Sequence, residues 1–228
     1  LIVVGIPSIL TFIEPDTGAV LIYFIITIVM LFTAGFRNRW FIATIGIIVL
    51  LGGAFLAVYF LDGDLFIKIF GTSFFYRMDR ILNWSNSSGL QLTNSITAIG
   101  SAGPLGHGFN HTPIYFPEMQ TDFIFAVFAS NFGFIGVLIL ISLLIYFDLN
   151  IISLSSKTTN SYDKFTVGGI IAVLLFQQIQ NISMTIGLLP IMGITLPFVS
   201  YGGSSLLSYM ILIGMLFNIS NEKLRFKN

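Results

Sequence analysis

Two carboxylates, Glu118 and Asp122, stand four positions apart in the longest polar passage of an otherwise apolar chain, PLGHGFNHTPIYFPEMQTDFIF from Pro104 to Phe125. Asp122 directly precedes the run Phe123-Ile124-Phe125-Ala126, so it lies where polar sequence gives way to apolar helix. Withdrawal from water penalises the charged form of a carboxylate, and a second acid nearby adds to that penalty. A carboxylate held this way gains proton affinity and can serve as a general base. Asp122 or Thr121 equally suits the cap of the following helix, whose first backbone N–H groups need an acceptor. The two roles are compatible, and acid pairs at this spacing also arise by chance.

Three further groups carry candidate chemistry. Glu14 and Asp16 flank Pro15 at the start of an apolar run, where negative charge suits a helix N-terminus as well as a polar site. Arg77 and Arg80, in Tyr76-Arg77-Met78-Asp79-Arg80, suit a solvated surface and equally the grip on a diphosphate. Phe198-Val199-Ser200-Tyr201-Gly202-Gly203-Ser204-Ser205 gathers hydroxyls around a glycine pair. That composition fits a turn and helix cap, or a nest of backbone amides for an anion. His107 and His111 read as loop residues without metal-ligand neighbours, and no nucleophile-elbow pattern accompanies the serines. With two histidines and no cysteine, multi-histidine cages, thiolate sites and disulfides are all excluded.

The elements that must position these residues are membrane helices. Of 228 residues, 55% are hydrophobic and only 9% charged, against roughly a quarter charged in a soluble domain. Lys+Arg and Asp+Glu are both 10, so no basic excess is available for nucleic acid. Apolar runs at Ala19–Gly35, Trp40–Leu61, Phe123–Phe147, Phe165–Leu189 and Leu206–Ile219 predict five full spans, with Trp40 suited to an interfacial anchor. Leu1–Ile13 falls short of the roughly 20 residues a crossing needs and is expected to be the tail of an N-terminal span. The fold class is therefore all-α, a polytopic membrane helix bundle forming one integral-membrane domain over 1–228.

Between the spans, 62–122 is expected to be a large loop on one side of the membrane, carrying an amphipathic or re-entrant helix over Ser88–Ser101 with Leu92, Ile96 and Ile99 on its apolar face. Asp148–Lys164 is expected to be a polar loop. Gln177, Gln178, Gln180 and Asn181 put amides inside a span, where they should face the bundle. Seven of the ten basic residues (Arg37, Arg39, Lys157, Lys164, Lys223, Arg225, Lys227) fall on one side, which the positive-inside rule makes cytoplasmic together with the C-terminus. Glu14, Asp16, the 62–122 segment and the break from Pro190 to Ser205 then share the outer face.

Four elements together resemble one family. Glu14-Pro15-Asp16-Thr17-Gly18 is similar to its Q-P-D-x-G-T element, and Gln91–Gly108 (QLTNSITAIGSAGPLGHG) to its Q-x-x-x-S-x-x-A-I-G-S-G-G-x-x-G-x-G element. Phe116–Ala126 (FPEMQTDFIFA) resembles L-P-E-x-H-T-D-F-I-F-A, and Gly187–Ser205 (GLLPIMGITLPFVSYGGSS) resembles G-x-L-P-x-x-G-x-x-L-P-x-x-S-Y-G-G-S-S. These mark the SEDS proteins (shape, elongation, division, sporulation), the RodA and FtsW group. The resemblance implies a fold of about ten helices, about four of them N-terminal to this chain.

It also implies a peptidoglycan glycosyltransferase of the bacterial cytoplasmic membrane, polymerising lipid II on the outer face beside a class B penicillin-binding protein. Asp122 falls on the family's essential aspartate, and Glu14, Asp16, Arg77, Arg80, Gln91, Ser95, Glu118, Thr121, Ser200, Tyr201, Gly202, Gly203 and Ser204 become its expected substrate-binding set. A divalent cation, Mg or Mn, is a candidate helper for the leaving diphosphate; no organic cofactor is expected. Gln120 departs from the family's usual His, Ser130-Asn131 replace a common acidic pair, and Gly108 to Phe116 is shorter than in the elongation branch. Met192, where division-type members often carry Lys, leans towards the RodA-like branch. A lipid-linked precursor transporter and a non-catalytic scaffold for a penicillin-binding protein are the alternative classes.

Overall fold

The computed structural model describes residues 2–14, 16–72, 74–76, 89–158 and 160–225. Pro15, Arg77, Asp79, Arg80, Lys227 and the Trp40 side chain, all used in reading the sequence, lie outside the described residues. Helices run over α1 (Ile2–Ile13), α2 (Thr17–Thr33), α3 (Asn38–Leu61), α4 (Gly63–Phe70), α5 (Gly89–Ser101), α6 (Ile124–Lys157), α7 (Ser161–Thr185) and α8 (Gly203–Arg225), with no strand among the described residues. α6, α7 and α8 each contain a stretch long and apolar enough to cross a membrane. α2, at 17 residues, spans only about 26 Å. The chain divides into two compact units, Gly35–Gly89 and the remainder.

In the smaller unit, Asp62 ends α3 and begins α4. Its N–H donates to Val58 O at 3.1 Å and its carboxylate accepts from Leu65 N at 2.9 Å. The corner folds α4 onto α3 through aromatic rings: Phe66 is fully buried, 4.9 Å from the Phe55 ring and 5.4 Å from Tyr59. Edge-on packing of this kind adds to simple burial. The 62–122 segment therefore begins with a capped amphipathic helix where a loop was expected.

The larger unit is built around α7, which packs against α2, α6 and α8. Gly168 and Gly169 let α2 approach: a Cβ at Gly168 would meet Thr33 Cγ2 at 3.2 Å, and one at Gly169 would meet Met30 Cγ at 3.5 Å. Small residues at such crossings allow the close van der Waals packing that joins helices in lipid. Ile151, Leu174, Tyr209 and Leu216 form the core shared by α6, α7 and α8. As expected, Gln178, Gln180 and Asn181 face the interior, with 5%, 4% and 0% exposure.

Three expectations need correction. α5 buries Leu92, Ser95 and Ala98 while Ile96 is 46% exposed, because the Ser95 hydroxyl donates to Thr185 O at 2.8 Å. That carbonyl ends α7 and has no helical donor of its own. The stretch from Asp148 to Lys157 is helix, not loop: Asp148 is 6% exposed and accepts from Gln178 Nε2 at 3.2 Å. Lastly, α6 is not one straight crossing.

Gly133, at φ 63° and ψ −164°, breaks α6. Phe125 before the break and Leu144 well after it share one apolar cluster, so the Ile124–Phe132 arm turns back along the segment that follows. In an unbroken helix Phe134 N and Ile135 N would donate to Ser130 O and Asn131 O. Here the glycine-rich loop after α5 replaces both partners. Phe134 N donates to Gly103 O at 3.0 Å and Ile135 N to Pro104 O at 3.1 Å, while His107 N and Gly108 N donate to Ser130 O and Asn131 O at 2.9 and 3.0 Å. The splice leaves none of these four helix groups unpaired. From Phe134 onward, about 24 residues rise ~36 Å, enough for the ~30 Å hydrocarbon core.

A side chain at Gly133 would be strained at this φ and would meet the Leu105 backbone at 2.7 Å. Gly133→Ala is expected to cost about 2–4 kcal/mol in thermal unfolding of the purified whole protein. Gly214→Ala, with nothing within 4 Å of the added carbon, is expected to stay within about 0.5 kcal/mol of the parent. Equal losses at the two positions would contradict the splice.

Candidate active site

Asp122 closes the loop that joins the glycine-rich segment to α6. Phe116 and Phe123, each 1% exposed with ring centroids 5.7 Å apart, pin the loop into the cluster that also holds Ala98 and Ala126. Between them the chain turns tightly: Glu118 takes φ 57°, and Phe123 N reaches back to Glu118 O at 3.1 Å. The cap reading of Asp122 and Thr121 is not met, since the helix starts from Phe123 without a side-chain cap bond.

The loop is clasped from below by Asn181. Its Nδ2 donates to Asp122 O at 2.8 Å and to Ile194 O at 2.7 Å, so one buried amide ties together the two irregular segments that flank α6 and α7. Its Oδ1 has no partner among the described residues. Three more bonds reinforce the clasp: Ser200 Oγ to Thr121 O at 2.7 Å, Tyr201 N to Gln120 O at 2.8 Å, and Gln180 Nε2 to Pro190 O at 2.9 Å. The second loop in turn presents Gly193, φ 63°, to the acid, and a Cβ there would lie 3.6 Å from Asp122 Oδ2. α2 joins at the same point, since a Cβ at Gly18 would meet Met192 O at 2.8 Å.

Half-burial raises the Asp122 pKa above its ordinary 3.8, and the charge of Glu118 raises it further; a hydrogen bond from Thr121 opposes the rise. The Thr121 hydroxyl donates to Glu118 Oε2 at 2.9 Å. Beside the acids opens a cavity of about 640 Å³, walled by Glu118, Gln120 and Thr121 from one loop and by Tyr201 from the other. Asp122 is the next residue along from this wall and not part of the lining.

The predicted site residues thus separate by position. Glu118, Thr121, Asp122, Ser200 and Tyr201 come together. Ser200 is a strut, because its hydroxyl also accepts from Leu196 N at 2.8 Å. Gly202, Gly203 and Ser204 start α8, with Gly202 O accepting from Leu206 N and Ser205 Oγ, each at 3.1 Å; this is a helix start. Asp16 caps α2 by accepting from Ala19 N at 3.0 Å, and Glu14 is exposed just before it. Ser95 is wholly buried against the end of α7, with Gln91 one turn earlier on α5. Arg77 and Arg80 lie outside the described residues. No three His, Cys, Asp or Glu side chains gather to hold a metal among the described residues.

Sequence reasoning noted Asn181 and Gln180 only as bundle-facing amides and gave no role to Gly193, Asn110 or Thr112. An amide inside an apolar run was the available signal, since such groups must find partners.

Comparison with known proteins places this architecture. The model of the cell cycle protein family FtsW/RodA/SpoVE matches residues 1–225. The chain is 36% identical to a probable peptidoglycan glycosyltransferase FtsW of Coxiella burnetii over 97% of its length and 59% of that protein's. It is 35% identical to stage V sporulation protein E of Bacillus subtilis over 91% of its length and 55% of the relative's, and 35% identical to the peptidoglycan glycosyltransferase RodA of Treponema pallidum over 65% and 37%. The chain thus spans little more than half the length of the first two. A chain in a solved peptidoglycan synthase complex that coordinates polymerization and crosslinking superposes with a TM-score of 0.73 at 26% identity, over 94% of this chain and 57% of that one. The chain, a multi-pass membrane helix bundle, belongs to the FtsW/RodA/SpoVE family.

Proposed function

We propose that this chain carries the catalytic centre of a peptidoglycan glycosyltransferase that polymerises lipid II, with Asp122 as the general base. The observation that carries the reading is a half-buried carboxylate of raised proton affinity, set beside a second acid at the edge of a polar cavity. In the reaction, Asp122 takes the proton of the acceptor 4-hydroxyl as that oxygen bonds to C1 of the donor sugar. The bond from C1 to the diphosphate oxygen breaks, undecaprenyl diphosphate leaves, and the α-linked donor becomes a β-1,4 linkage by inversion. Negative charge grows on the leaving group, for which Arg77 and Arg80 are the proposed partners. A divalent ion bound beside the diphosphate would draw on Glu118 and Asp122 and would supply positive charge to the leaving group. The distribution of Arg37, Arg39, Lys157, Lys164, Lys223 and Arg225 supports a cytoplasmic C-terminus and a site on the outer face. A class B penicillin-binding protein is the proposed partner.

General-base assistance contributes typically 10²- to 10⁴-fold. Asp122→Asn in the whole protein with its partner is therefore expected to cut lipid II polymerisation by about that factor while lipid II still binds. Undiminished polymer formation by the Asn variant would overturn the assignment.

The pKa shift fixes the sign of two pH effects. Asp122 must be ionised to act, so activity falls as pH drops through its raised value, earlier than for an ordinary carboxylate. Folded-state stability runs the other way, falling as pH rises from 3.8 through the raised value, because the unfolded chain ionises first. Glu118→Gln removes the neighbouring charge while keeping an acceptor for Thr121. The acid limb of its pH–rate profile is expected to move to lower pH; a limb that stays in place or moves up would contradict the coupling.

A further inference from the structure

The cavity beside Asp122 has a composition that selects among the parts of a lipid-linked sugar. Its polar lining is two amides, Asn110 and Gln120, the hydroxyls of Thr112, Thr121, Tyr115 and Tyr201, and the Glu118 carboxylate. Among the described residues, no basic side chain lines it. A diphosphate calls for cations or bidentate guanidinia, and a fixed carboxylate repels it. A neutral ligand rich in hydroxyl and acetamido groups finds both donors and acceptors here. Tyr115 and Tyr201, 82% and 75% exposed, offer ring faces to the apolar face of a sugar with a polar tip alongside.

The walls are also tied in place. Tyr201 N is bonded to Gln120 O at 2.8 Å, which locks the two loops across the cavity. Thr112 Oγ1 donates to Asn131 Oδ1 at 3.0 Å, and Asn94 Nδ2 donates to Tyr115 O at 3.3 Å. A site held this way spends less on ordering when ligand arrives.

We infer that this cavity is the acceptor subsite, holding the neutral sugar whose 4-hydroxyl attacks, and that the diphosphate of the donor binds outside it. The inference rests on the glycosyltransferase reading for the identity of the acceptor, and on the Glu118 carboxylate and the neutral polar groups of the described lining for the exclusion of the diphosphate.

The test uses the whole protein with its partner and two probes. One is a diphosphate-free β-1,4-linked GlcNAc–MurNAc tetrasaccharide with a free GlcNAc 4-hydroxyl; the other is undecaprenyl diphosphate. The variants are Gln120→Ala and Asn110→Gly, the latter because Asn110 sits at φ 59° and glycine keeps that backbone free of strain. The tetrasaccharide is expected to bind the parent, measured by saturation-transfer NMR, and to bind each variant at least ~10-fold more weakly. Inhibition by undecaprenyl diphosphate is expected to be unchanged. A parent that polymerises lipid II yet does not bind the tetrasaccharide would overturn the inference. So would variants that bind it normally, or that lose undecaprenyl diphosphate to the same extent. A parent that binds the tetrasaccharide but forms no polymer would instead overturn the glycosyltransferase reading.

Discussion

Both protons of one buried amide, Asn181 Nδ2, go to backbone carbonyls of different loops, Asp122 O and Ile194 O. The arrangement answers a constraint that governs the whole bundle. Irregular backbone within a membrane protein must find its hydrogen-bond partners in protein, because hydrocarbon offers none. A buried carbonyl left without a donor costs about 1–3 kcal/mol. Asn181 therefore does two things with one group: it satisfies both loops and fixes their separation, which sets where the Asp122 carboxylate lies relative to Gly193 and to the cavity.

The same constraint explains the bend in α6. Its reversal at Gly133 frees two carbonyls and two N–H groups, and the glycine-rich loop after α5 supplies a partner for each. Gly106 and Gly133 pack backbone on backbone, which only residues without a Cβ permit. This splice anchors the start of the loop that ends in Asp122, and the Asn181 clasp anchors its end. The amide departures Gln120 and Asn131 sit within this framework as cavity wall and Thr112 partner.

The sequence made the order of helices legible, because long apolar runs separated by Pro, Gly and charges admit little else. The site loops were legible through their motifs, as was the inward turn of the amides on α7. What could not be read was set by pairings distant in the chain. Asp148 reads as the edge of a polar loop until Gln178, thirty positions on, is seen to hold it inside the bundle. Ser95 reads as the weaker choice beside Ile96, and only Thr185 O decides which is buried. Gly133 resembles any glycine in a membrane helix, since hydropathy averages over a break without marking it. The capped start of α4 was within reach of local rules, as Asp62 precedes a helical spacing of Phe66, Ile69 and Phe70.

We propose that the Asn181 clasp holds the Asp122 carboxylate in place beside the cavity. This role is tested most directly by the rate of lipid II polymerisation by an Asn181→Leu whole protein with its partner, normalised to the amount of folded protein in the membrane. Leucine fills a similar volume but donates to neither carbonyl. The rate is expected to fall at least ~10-fold per folded molecule; polymerisation at the parent rate would rule out this role for the clasp.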